Sequence, residues 1–214
     1  MRGTNHIIAN MSTAVIVDTS IRSIAQTIDS HFYDQLFSMI HWQLYVDSNS
    51  QFVHTSASIF VVVLNVLLFI IGSLLPDCDH ENSIMGRMLY IPVRHRTWTH
   101  TVWCVILFSF VSIAAPCFTW LTYGYFLHIL YDSLSKSGVC WMYPFSGYKT
   151  WTSGARVKKN HRFYLYRTGE TSETILTVLL VLIGLGMLIY AILLTVSHGN
   201  LPFHGESLFA VNPT

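Results

Sequence analysis

The stretch SIFVVVLNVLLFIIGSLLP, Ser58 to Pro76, runs straight into DCDH, Asp77 to His80. Nineteen residues without a charge suffice to cross a bilayer core, which takes roughly 20 apolar residues in helical form. Thr174 to Val196 is a second uncharged apolar run. Charged residues make up only 11% of the 214, and the mean hydropathy is positive, which sets the chain apart from soluble globular domains. The chain reads as one all-α integral membrane domain over residues 1–214.

Working outward from that stretch, His6 to Val17 is moderately apolar and suits a further span despite Asn10. Thr101 to Ala115 and Cys117 to Leu134 form a hairpin broken at Pro116. The sum is a polytopic helical protein of about five spans. No cleaved leader is expected, because Asn5, His6 and Asn10 interrupt the apolar region it would need. Residues 18–56 are expected to form an outer segment in which Phe32, Leu36, Ile40 and Leu44 share one helical stripe, which fits an amphipathic helix at the membrane surface and equally a soluble-side helix packed on the bundle. Polar loops at 77–100 and 133–173 carry nearly all the Lys and Arg, and the tail from His198 carries none. The positive-inside rule therefore places these loops and the N-terminus in the cytoplasm and the C-terminus outside. A net charge of +1 offers no basis for a nucleic-acid partner; the expected partner is the bilayer itself.

Three polar runs abut the apolar stretches: Leu75-Pro-Asp-Cys-Asp-His80, His95-Arg-Thr-Trp-Thr-His100 and Gly124-Tyr-Phe-Leu-His-Ile-Leu-Tyr-Asp132. Two carboxylates at a helix C-terminus oppose the helix dipole, which a bound cation would relieve. His128 and Asp132 are four residues apart and share a helix face. His100 to Pro116 and Pro116 to Asp132 are arms of sixteen residues, each roughly 24 Å at 1.5 Å per residue, so the hairpin returns Asp132 to the depth of His100. An ionisable residue on a membrane helix signals function, since an unpaired one is costly. Oxygen and imidazole donors in this mixture suit zinc first, then manganese or iron. The expected ligands are His6, Asp77, His80, His100, His128 and Asp132. Asp79, His95, Arg96 and Glu173 are expected to orient ligands, complete a second ion, act as base or hold an anionic group. The simpler readings of the last two are a snorkelling cation for Arg96 and an N-terminal helix acid for Glu173. Cys78, Cys104, Cys117 and Cys140 contain no C-x-x-C pair and read as packing residues, with Cys78 a remote ligand candidate. The remaining histidines (His31, His41, His54, His161, His198 and His204) fit no constellation.

The ordered set Leu-Pro-Asp-x-Asp-His, His-Arg-x-x-Thr-His and Gly-Tyr-x-x-His-x-x-x-Asp-x-Leu resembles the YdjM-like family of bacterial membrane-bound, metal-dependent hydrolases. Thr4-x-His6 and Gly169-x-x-x-Glu173 are similar to its flanking motifs. The segment from Asp18 to Phe52 is longer and more polar than the family pattern, and Thr101 stands where Ser is frequent. The resemblance implies a metal site in the bacterial inner membrane and hydrolysis by metal-activated water, with a lipid or lipid-linked phosphoester as the fitting substrate. A more distant likeness to the all-helical zinc phospholipase C group points to phosphoester chemistry. Two rivals stand beside it. A di-iron oxidase is disfavoured by the lack of adjacent His-His pairs. A transport, metal-binding or scaffold protein would place its polar residues at the midplane of repeated halves, and no repeat is visible.

Overall fold

The computed structural model describes residues 3–28, 51–145 and 165–197. Five helices account for most of them: α1 (Gly3–Ile28), α2 (Gln51–Leu74), α3 (Val102–Ala114), α4 (Thr119–Leu134) and α5 (Thr171–Ser197). Among the described residues there is no strand; Ser135 and Tyr166 form an isolated parallel bridge. The all-helical expectation holds. The outer segment's amphipathic stripe at 32–44, the basic run at 149–164 and the C-terminal tail lie outside the described residues.

Length and composition let two helices cross a membrane, through windows at Val62–Asp79 and Thr171–Leu193. Both stretches are mostly unburied, with 39% of the first and 11% of the second inside the bundle. In α5, Ile175, Leu182 and Leu193 stand more than half exposed. Apolar surface presented on most sides of a helix calls for lipid around it. α3, at 13 residues, and α4, at 16, are shorter than the roughly 20 residues of a full span. The about-five-span reading thus meets the length-and-apolarity criterion at two helices.

The predicted hairpin is present. α3 ends at Ala114, a 3-10 turn over Pro116–Phe118 reverses the chain, and α4 returns. Thr122 staples the arms by donating to the Phe108 carbonyl at 3.0 Å, and Ser112 and Thr122 share a hydroxyl bond of 2.6 Å. α2 stops where expected: Pro76 ends the α-helix, and Leu75–Asp79 tighten into a 3-10 turn.

Two pairings hold the bundle. α2 packs on α4 with almost no space between backbones. A Cβ at Gly72 would sit 2.0 Å from the Leu121 carbonyl oxygen, and one at Gly124 would sit 2.4 Å from that of Phe69. The two glycines are reciprocal, and only a missing side chain on each permits the contact. α1 packs on α5, where Gly184 faces the Ser12 backbone at 3.3 Å from its would-be Cβ, whereas Gly186 meets nothing. Only the first of these two glycines serves close approach. The polar residues that make α1 a poor span by composition are taken up inside the bundle. Asn10 is fully buried and donates to the Gly124 carbonyl at 3.4 Å, and Thr13 hydrogen-bonds the Tyr131 hydroxyl. Tyr125, Ile129 and Val139 form one apolar cluster, and Ala9, Tyr131 and Tyr166 a second.

None of the four cysteines forms a disulfide, and Cys78 and Cys140 are buried. That fits their reading as packing residues.

Candidate metal centre

Every polar run predicted to converge lies at one end of this bundle. α2 delivers Asp77 and Asp79 just beyond its C-terminus, and α4 delivers His128 and Asp132 from its last two turns. His100 sits on the 3-10 turn that precedes α3, and His6 on the first turn of α1. One ligand atom each from Asp77, His100, His128 and Asp132 falls within 4.8 Å of the others. Residues 55 positions apart meet because of the glycine pair. With α2 and α4 touching at Gly72 and Gly124, His128 lies one turn further along α4 and reaches the Ser73 carbonyl at 2.7 Å.

That bond fixes the tautomer of His128. A carbonyl can only accept, so Nδ1 carries the proton and Nε2 presents its lone pair, 3.5 Å from Asp77 Oδ1 and 3.9 Å from Asp132 Oδ2. The same logic applies to His100. Thr99 donates its one hydroxyl proton to Asp79 Oδ2 at 2.5 Å, so toward His100 Nδ1, 2.9 Å away, it can only accept. His100 Nε2 then points inward, 3.5 Å from Asp132 Oδ2 and 3.8 Å from Asp77 Oδ1. Both inward nitrogens are buried without a hydrogen-bond partner among the described residues. Buried nitrogens are rarely left so. Two imidazole lone pairs and two carboxylates aimed at one point form a donor set suited to a divalent cation.

The surroundings of His100 describe the cluster without its cation. Burial opposes the charged imidazolium, but the carboxylates of Asp132 and Asp79 outweigh burial and push its pKa up to about 9. A proton on Nε2 thus offsets the clustered negative charge, at the place where a metal would bond.

Around the four donors sits a supporting set. Asp79 is buried and saturated: Oδ1 accepts from His95 Nδ1 at 2.7 Å, and Oδ2 accepts from the Arg96 backbone at 3.1 Å and from Thr99. Asp79, His95 and His100 also satisfy the distance criterion for a second donor group. The bonds already made by Asp79 instead suit the task of orienting two histidines. Arg96 adopts a left-handed φ of 64°, which turns its side chain inward. Its Nε lies 3.2 Å from Asp132 Oδ2, and its second terminal nitrogen donates to Asp132 Oδ1 at 3.3 Å. The other terminal nitrogen reaches the Ser135 hydroxyl at 3.3 Å and the Gly138 carbonyl at 3.5 Å. Arg96 is therefore held against Asp132 and is no snorkelling surface cation.

His6 is fully buried and stacks on His128 with ring centroids 3.9 Å apart. Its Nε2 lies 3.4 Å from Asp132 Oδ1, and neither ring nitrogen has a hydrogen-bond partner among the described residues. It borders the four donors without belonging to their group. His80 is exposed and outside both donor groups, its ring edge-on to His95 at 5.1 Å. Glu173 is buried, and its carboxylate accepts from the Gly169 backbone at 2.6 Å and from Asn5 at 2.6 Å. It caps α5 and ties down the start of α1, the helix-acid reading extended by a tertiary contact. Cys78 lies outside both groups. Three contributors escaped the sequence reading. The Ser73 contribution is a backbone carbonyl and leaves no signal in side-chain type. Thr99 stood inside the His-Arg-x-x-Thr-His run, and Asn5 inside Thr4-x-His6, each without a role.

An all-helical membrane protein with an Asp₂His₂ cluster at one end of its bundle is the class that fold and site define. The chain belongs to the YdjM inner membrane protein family, whose sequence model matches residues 48–197. That span includes α2 through α5 and all four donors, and leaves out α1. No curated protein and no solved structure matches the chain significantly.

Proposed function

We propose that the protein is a metal-dependent hydrolase of the bacterial inner membrane that cleaves a phosphoester in a lipid or lipid-linked substrate. The observation that carries this reading is the convergence of Asp77, His100, His128 and Asp132 within 4.8 Å, with both inward imidazole nitrogens buried and lacking a hydrogen-bond partner among the described residues. Asp77, His100, His128 and Asp132 would hold the ion, with zinc the best match to the donors and manganese or iron next. When bound, such an ion brings the pKa of its water toward neutrality and polarises the phosphoryl oxygen under attack.

The chain's own residues supply the rest. Asp79 keeps His100 and His95 in fixed tautomers. His95 is partly exposed, and with Nδ1 committed to Asp79 it has Nε2 available to take a proton from water or return one to the leaving oxygen. Arg96 holds Asp132 with one edge of its guanidinium and Ser135 and Gly138 with the other terminal nitrogen, and its fixed positive charge beside the cluster complements the anionic oxygens of a phosphoester. His6 closes the floor of the cluster through its stack on His128, and Glu173 keeps α1 in place. In the membrane we place the site at the cytoplasmic side of a multi-pass bundle, with the N-terminus inside and the C-terminus outside, as the Lys and Arg distribution favours.

The test is metal analysis of the purified protein beside Asp132→Asn, together with turnover of phospholipids and lipid phosphates. The expected outcome is a stoichiometric divalent metal in the parent, its loss from the variant and loss of turnover with it. Equal metal content in the two proteins would overturn the assignment.

A further inference from the structure

The loop between Asp79 and His95 carries an apolar tip with no role in the donor cluster. Met88, Leu89, Tyr90 and Ile91 are four consecutive residues exposed at 81%, 55%, 50% and 39%. They are held in place. The Leu89 and Met88 amides bond the Met85 carbonyl at 2.8 and 3.0 Å, and the Ile91 amide bonds the Cys78 carbonyl at 2.9 Å. Ser83 in the same loop donates to the Asp77 carbonyl at 2.7 Å. The loop is therefore pinned to the backbone of Asp77, a proposed ligand, and of Cys78 beside it. An ordered loop that displays four apolar side chains in a row has a surface suited to something other than water.

Three observations identify the occupant as a lipid leaflet. The loop leaves α2 and leads into α3, so its two ends stand at the margin of the apolar helices. Half-exposed Trp98 and Trp103 lie at that same margin, each edge-on to an aromatic of the segment after α4 (Tyr143 at 5.1 Å and Phe145 at 5.9 Å). Aromatic side chains of this kind mark the headgroup level of a membrane. The charge pattern agrees: exposed Arg87 and Arg94 bracket the tip, against the single exposed acid of the loop, Glu81. Cations beside an apolar insertion complement anionic headgroups.

We propose that the Met88–Ile91 tip, with Trp98, Trp103 and Phe145, seats in the headgroup zone of an anionic leaflet and sets the donor cluster at the depth of lipid phosphates. The more open members of the site, His95 and Arg96, belong to the same loop, so a phosphoester already in the bilayer arrives sideways at the cluster. The seating stands on the exposed surface alone. The sideways delivery of substrate rests on the hydrolytic reading.

The test places a benzophenone amino acid at Met88, Phe145 or Glu81 in the full chain, reconstituted in nanodiscs of mixed phosphatidylglycerol and phosphatidylcholine. After irradiation, intact mass reads what has been captured. Lipid-mass adducts are expected at Met88 and Phe145, with phosphatidylglycerol enriched over its share of the disc, and a loss of adduct at Glu81. Arg87→Glu is expected to abolish the enrichment at Met88 without changing metal content. Absence of lipid adducts at Met88, or adducts to a second copy of the chain instead, would overturn the seating. Adducts in simple proportion to disc composition would overturn the anionic preference. Metal content is read from the same samples, so failure of the hydrolytic reading is scored apart from failure of this one.

Discussion

Asp79 accepts from His95, from the Arg96 backbone and from Thr99, and its substitution separates orientation from ligation. Asp79→Asn keeps the shape but offers one acceptor oxygen where the carboxylate offers two, and it removes the charge facing His95 and His100. Supporting partners of metal-bound histidines are worth roughly 10–100-fold in affinity. We therefore expect Asp79→Asn to bind metal weakly, measurable by titration with a competing chelator, whereas Asp132→Asn binds none. A variant with parental affinity would show that Asp79 does not orient the ligands. At this scale much was legible in the sequence. His128 and Asp132 four residues apart, and Asp77 past a helix stop, are spacing arguments that need no coordinates. The tautomer of His128 was not legible, because a backbone oxygen sets it. Nor was the placement of Arg96, whose inward turn depends on a left-handed φ that residue type does not announce. His80 fell outside both donor groups for a related reason: one residue past the 3-10 turn the backbone turns extended, and the side chain stays exposed against His95.

The helix pairs set the distances that the residues then use. Equal arms about Pro116 predicted that Asp132 would return to His100, and the two side chains stand 3.5 Å apart. The approach of α2 to α4 was only half visible. Gly124 belonged to a motif, but Gly72 sat unremarked in an apolar run, since only the facing chain reveals what a Cβ there would strike. Gly124→Ala puts that atom 2.4 Å from the Phe69 carbonyl and 2.9 Å from the Ser73 hydroxyl. Overpacking of this kind costs roughly 1–3 kcal/mol or more. It also pushes His128 away from Ser73, so metal content is expected to fall together with thermal stability. Gly186→Ala meets open space and replaces a poor helix former by a good one, so it is expected to leave both unchanged or to raise stability slightly. Thermal unfolding in detergent with parallel metal analysis checks the pair. Equal behaviour of the two variants would count against the close-packed crossing.

At the scale of the molecule, the cluster is expected to couple assembly to protons and to metal. His100 titrates at about 9 against an ordinary 6.5. A raised folded-state pKa contributes stability that is complete below 6.5 and is lost as pH climbs through 9. The metal-free protein is therefore expected to lose melting temperature between those values. The metal-loaded protein, whose Nε2 carries no proton, is expected to hold its own across the same window and to bind more tightly as pH rises. Melting curves with and without chelator decide it, and parallel curves would contradict it. Membership in a membrane family followed from apolar runs that any reading of the chain would find, while span count did not, because α3 and α4 are apolar but short. The tie from Asn5 to Glu173 has a consequence for how the protein is made. All four ligands lie between residues 77 and 132, so a ribosome has delivered a complete set before it reaches α5. The clasp that fixes α1, and with it His6, waits for residue 173. If the cluster holds a metal as proposed, its loading and the final closure would be separated during synthesis, and a nascent chain halted between them would own its donors with one wall still open.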